Sequence, residues 1–176
     1  MKKLLLLLLI LIVLLSCGRG GKELYTAPSR VVPDSFAIGL NLFNKGRAAS
    51  RNSANMDSVL FYMQLAENFF KREGDKAQVN RFIAFIYSSR GMLDEAMPYF
   101  LKASRMANEW QYSSICQEVA KVYAAAGRFR EGVLVMDLIR KNMNDRTVVP
   151  YYHLAKGNLW AGVNEYDSAV TYYRTA

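Results

Sequence analysis

Through most of this chain, apolar residues recur with the spacing that places them on one face of a helix. Two stretches depart from that rhythm. Leu4 to Leu15 is an unbroken apolar run of 12 residues, preceded by Met1, Lys2 and Lys3. From Gly18 to Asp34 large apolar residues are few, while three Gly, Pro28 and Pro33 accumulate, so residues 17–34 read as a flexible tether. Residues 35–176 keep the helical pattern throughout, with Gly and Pro between the predicted helices. This predicts an all-α fold.

At 1.5 Å per residue the 12-residue run spans about 18 Å, short of the roughly 30 Å hydrocarbon core of a bilayer. With its basic flank it has the layout of a secretory signal peptide, residues 1–16, removed on export. The tetrad Leu14-Leu15-Ser16-Cys17 resembles the bacterial lipobox. That resemblance implies cleavage before Cys17, a thioether-linked diacylglycerol on Cys17, and a membrane-anchored lipoprotein of the bacterial cell envelope facing the periplasm or exterior. The mature chain would hold 160 residues with a formal charge of +6, against 176 and +8 for the whole. Export makes a nucleic acid an unexpected partner for that charge. Anionic headgroups remain open, beside charge spread over a solvated surface.

Residues 80–103, 116–139 and 153–176 align with one another at offsets of 36 and 37. Ala84, Ala120 and Gly157 are small at equivalent positions, and Tyr87, Tyr123 and Trp160 are aromatic. Gly91, Gly127 and Asn164 tolerate the left-handed backbone needed to leave one helix and enter the next. Ala96, Gly132 and Ala169 are small again, Phe100, Met136 and Tyr173 are large, and Ala103, Ile139 and Ala176 close the pattern. An earlier, degenerate unit pairs a helix from Ser35 to Ala49 with one opening at Asp57-Ser58-Val59, separated by the polar insertion Ser50 to Asn55. Four hairpins are therefore expected over residues 35–176. Because the last copy stops partway through its second helix, the expectation is a fragment of a longer repeat protein. The alternatives are that the last helix suffices or that a dimer covers it.

The order small, aromatic, turn, small, large, small is similar to the tetratricopeptide repeat (TPR), a helix-turn-helix unit of about 34 residues. Ala84, Tyr87, Gly91, Ala96, Phe100 and Ala103 match the family pattern. Gly132, Met136, Ile139, Asn164 and Lys156, the last where the family has an apolar residue, depart from it. The resemblance implies an α-solenoid of antiparallel helical hairpins, a TPR-like right-handed superhelix, whose first helices line a concave peptide-binding groove. Carried over by position, the groove candidates are Gln78, Arg81, Phe85, Ser88, Gln117, Lys121, Tyr151 and Asn158. This mixed lining suits an extended peptide with some acidic character. Only Arg81, Lys121 and Asn158 are of the kind found in a two-carboxylate clamp.

Other chemistry is sparse. One His and two Cys are too few for a His/Cys zinc site, a disulfide framework or a Cys/His catalytic pair. No P-loop, GxSxG or HExxH string occurs. His153 reads as a surface or packing residue and Cys116 as a small buried hydrophobe. Asp57, Asp94, Glu95, Glu165 and Asp167 stand where second helices open and read as capping acids, while Pro98 falls in or just after the first turn of its helix and Pro150 is placed to start one. Most aromatic residues fall at packing positions. The expectation is thus a non-catalytic protein with no metal and no cofactor, a lipid-anchored scaffold that binds a protein or peptide partner. The alternatives are the sensor portion of a truncated envelope receptor and, less well supported, a polysaccharide-binding component.

Overall fold

The turns explain the topology. In the computed structural model, which describes residues 34–51, 56–140 and 149–176, Gly91, Gly127 and Asn164 have φ of 78°, 70° and 61°. Each ends a helix in the same way. The N–H of Met92, Arg128 and Glu165 donates to the carbonyl five residues back, that of Tyr87, Tyr123 and Trp160, at 3.0, 2.9 and 3.1 Å. This six-to-one bond satisfies a carbonyl that the helix leaves open and reverses the chain, and it requires a left-handed residue at the position before the donor.

Among the described residues eight helices result and no strand occurs. They are α1 (Ser35–Arg51), α2 (Met56–Phe69), α3 (Glu73–Ser89), α4 (Leu93–Met106), α5 (Glu109–Ala125), α6 (Phe129–Arg140), α7 (Val149–Gly162) and α8 (Tyr166–Arg174). Consecutive helices pair as four hairpins, α1 with α2 through α7 with α8. The hairpins stack in chain order: α3 touches α5, α5 touches α7, α4 touches α6, and each second helix touches the next first helix. The architecture is all-α and solenoid-like.

Small residues set the spacing inside each hairpin. A Cβ added to Gly157 would lie 2.6 Å from the Tyr173 ring, and one added to Gly46 would lie 2.6 Å from the Met63 methyl. Larger residues fill the rest. Phe100, Ile115, Val119, Met136, Ile139 and Leu159 are fully buried in one cluster that runs from α3 to α7. Phe43, Val59, Met63, Phe70, Val79 and Ile83 form a second cluster across α1, α2 and α3. Tyr87 and Tyr99, stacked with centroids 5.6 Å apart, pack against both. At about 1.5–3 kcal/mol per buried large side chain, this apolar burial is the main stabilising term. Gly132, Met136 and Ile139, the departures in the second copy, are all buried.

Several expectations need correction. Asp57, Asp94, Glu95 and Asp167 do stand in first turns, but α4 and α8 carry no side-chain cap bond, even with Glu165 at the N-cap of α8. The caps lie elsewhere. Asp34, assigned above to the tether, accepts from the Phe36 N–H at 3.4 Å, and Asn108 with Gln111 forms a full capping box on α5. Asp94 and Glu165 instead reach across hairpins, to Arg128 at 2.8 Å and Arg130 at 3.3 Å. Pro98 lies just after the first turn of α4, as expected, and removes the bond to the Asp94 carbonyl. Ser50 and Arg51 continue α1, while residues 52–55 of the expected insertion lie outside the described residues. So do the expected signal peptide, Cys17 and the rest of the expected tether.

The turn geometry makes a direct prediction. An Ala at φ near +70° costs about 1–2 kcal/mol, so Gly127→Ala should lower the thermal midpoint by several degrees. Asn164→Gly should hold or raise it; equal effects in a melting experiment would remove the turn argument.

Candidate functional site

On α3 the candidates Gln78, Arg81, Phe85 and Ser88 fall at steps of three and four residues and share one helical face, as do Gln117 and Lys121 on α5. Because α3 and α5 are neighbours, three of these residues meet. Phe85 and Ser88 from α3 and Lys121 from α5 line one depression of about 320 Å³, floored by Leu93, Val122 and Ala125. The Phe85 ring is 47% exposed there. Lys121 has no hydrogen-bond or ion-pair partner among the described residues.

Arg81 differs. Its guanidinium lies 3.4 Å from Glu118 on α5, and both side chains are largely covered. Burial pushes the Glu118 carboxyl above the usual range, and Arg81 and Lys121 pull it part of the way back. Glu118 was missed in the sequence, and it matches the charge of Arg81, which lies outside the depression, while Lys121 lines the depression as a cation with no ion-pair partner among the described residues. Gln78 is half-buried and Gln117 exposed beside this face. Tyr151 and Asn158 on α7 do not line the depression. Tyr151 is exposed, and Asn158 accepts a 2.8 Å bond from the Tyr173 hydroxyl of its own hairpin.

Two larger depressions, of about 450 and 540 Å³, open near the starts of α1 and α3. Apart from Lys71, their charged groups already have partners. Arg72 pairs with Asp75 at 2.9 Å, and Gln111 donates to the Gly74 carbonyl at 2.7 Å.

A second polar cluster joins α6, α7 and α8. Lys156 is only 5% exposed, and its ammonium donates to Asp137 and, at 3.2 Å, to the Tyr152 hydroxyl, while lying 4.8 Å from the Tyr172 ring centroid. Burial opposes the charge on Lys156, but the bonds to Asp137, Tyr172 and Tyr152 outweigh it and hold its pKa above the ordinary lysine value. Burial, with the bond to Asp137, pushes Tyr152 up to about 12. Lys156 is therefore a buried cation held in place, not an amine nucleophile. The sequence clue was Lys156 itself, four residues after Tyr152 at a position expected to be apolar.

His153 stacks on Tyr172 with centroids 5.7 Å apart, and its Nδ1 is buried with no partner among the described residues. Burial, then the positive charges of Arg140 and Lys156, hold its pKa below the ordinary 6.5. Cys116 is fully buried, and burial pushes its thiol up to about 12, so the reactive thiolate is absent near neutral pH. Among the described residues no group of His, Cys, Asp and Glu is placed to hold a metal ion, and no helix is long and apolar enough to cross a membrane. Comparison of the chain with protein-family models, curated proteins and solved structures gives no match.

The environment of His153 sets a pH dependence. Its folded pKa is depressed, so the unfolded chain binds the proton more readily. The stability tied to His153 is complete above about pH 6.5 and is lost as pH falls below it. Denaturant midpoints at pH 7.5 and 5.5 should fall for the native chain and fall less for His153→Phe. Equal falls would show that His153 does not carry the effect.

Proposed function

We propose that this chain is a lipid-anchored, extracytoplasmic protein of tetratricopeptide type that works by binding. It holds an extended peptide segment of a protein partner against the first helices of its hairpins, as a scaffold in the bacterial envelope. The observation that carries this reading is the depression where Phe85 and Ser88 of one hairpin meet Lys121 of the next, over an apolar floor. The chemistry that fits is one carboxylate for Lys121 beside an aliphatic or aromatic side chain for the floor. Because Arg81 is matched by Glu118, the site suits a single acid better than a pair of carboxylates.

The reading of the amino terminus supports the anchor. The apolar run ending at Leu14-Leu15-Ser16-Cys17 has the order of a lipoprotein signal, and each buried methylene of an attached acyl chain contributes about 0.8 kcal/mol. Two or more chains hold a protein stably at a membrane.

Peptides selected from a random display library against the full chain should carry an acid next to an apolar residue. Lys121→Glu and Phe85→Ala should each weaken those peptides about tenfold, equivalent to about 1.4 kcal/mol. Selected peptides that bind both variants as well as the native chain would end the groove proposal. Separately, Cys17→Ala should move the protein from the membrane pellet to the soluble fraction in cells. A variant that stays in the pellet would remove the lipid anchor without touching the groove.

A further inference from the structure

The outer face of α8 repeats a surface that is covered elsewhere in the fold. Tyr166, Val170 and Tyr173 lie on one stripe of this helix and are 61%, 44% and 40% exposed. The aligned residues are Leu93, Met97 and Phe100 on α4, and Phe129, Val133 and Met136 on α6. Of these, Leu93, Phe100, Val133 and Met136 are buried, and Met97 and Phe129 are half-buried. The first helix of the following hairpin packs over each of these helices, α5 over α4 and α7 over α6. The fit is close: a Cβ added at Gly162 of α7 would come within 2.1 Å of the Phe129 ring.

A charge accompanies the apolar contact. Asp94, at the start of α4, takes Arg128 from the turn after α5, at 2.8 Å. Asp167 is the residue aligned with Asp94. It stands in the first turn of α8, and its carboxylate has no partner among the described residues. The apolar stripe that a following helix covers on α4 and α6, and the acid that Arg128 meets two hairpins earlier on α4, are therefore present on α8 without such a helix or arginine among the described residues; one hairpin earlier the pair is reversed, Arg130 of α6 with Glu165.

We propose that this face of α8 is a docking site for an amphipathic helix of the α5 kind. That helix runs antiparallel to α8, lays small and apolar residues on Tyr166, Val170 and Tyr173, and carries an arginine just past its carboxyl end to reach Asp167. A second copy of this chain is poorly equipped for the role through α1. The close approaches of Gly46 to Met63 and of Gly157 to Tyr173 put Gly46 in register with Gly157 and hence with Ala120. In that register α1 presents exposed Asn41 and Lys45 where α5 buries Ile115 and Val119.

The probe is a labelled peptide of residues 109–128, which is α5 with Arg128, titrated into the full chain. Binding should saturate and should weaken about tenfold or more on Tyr166→Asp or Val170→Asp. Arg128→Glu in the peptide should weaken it too, and Asp167→Arg in the protein should restore binding of that altered peptide. Leu134→Asp, a change at an equally exposed apolar residue of α6, should leave binding unchanged, and circular dichroism should report the same helix content for every variant. No binding, or equal loss on Leu134→Asp, would overturn the proposal. Self-association that Val170→Asp abolishes would overturn it in favour of a second copy.

Discussion

Within each hairpin the two helices approach so closely that one side of the contact must be small, and the other features of the fold follow from that contact. Gly157 against Tyr173 and Gly46 against Met63 show it directly, where no Cβ fits without displacing the opposing side chain. The aligned pairs Ala84 with Phe100 and Ala120 with Met136 keep the same order of sizes, and all four residues are buried. A hairpin closed in this way still has apolar faces turned outward. Burying them requires another hairpin, so the units stack, and the stack leaves the remaining face of α3 and α5 to form the depression at Phe85 and Lys121.

Polar contacts then fix how the hairpins sit on one another. The Asn80 amide, fully buried, donates to Glu67 at 3.0 Å, and Glu67 in turn holds Lys102 at 2.8 Å, tying α2, α3 and α4 together. The Lys102–Glu67 bridge, exposed at its lysine end, contributes about 0.2–1 kcal/mol, so it specifies register more than it stabilises. Lys156 is a different case. Burying an ammonium costs several kcal/mol, and that cost is offset only because Asp137, Tyr152 and Tyr172 converge on it. The joint between the last two described hairpins thus holds a buried charge as well as apolar packing.

Much of the fold was legible in the sequence, for reasons that differ by residue. Gly91, Gly127 and Asn164 could be read because few residue types accept positive φ, and all three have it. The small and aromatic positions could be read because size complementarity recurs with the repeat. The charges could not. Acids at helix starts were read as local caps, yet Asp94 and Glu165 pair with arginines 34 and 35 residues away, and local pattern carries no trace of that distance. Arg81 was taken as an open groove cation because its partner Glu118 lies one full repeat further on. Asp137 and Tyr172 likewise come from helices flanking the one that carries Lys156. For the groove, position along α3 and α5 identified Phe85, Ser88 and Lys121 together, but the same rule did not bring Tyr151 and Asn158 to them.

The cross-hairpin hydrogen bonds at Lys102, Gln111, Arg128 and Arg130 join residues 34 to 37 apart in sequence, so each links neighbouring units and none reaches past the next. Elements joined only to their neighbours act as springs in series. Their compliances add, and a small rotation at each interface accumulates along the stack. Compliance in such a stack is concentrated at the joints between hairpins, because inside a hairpin close contacts such as Gly157 on Tyr173 leave no room to slide.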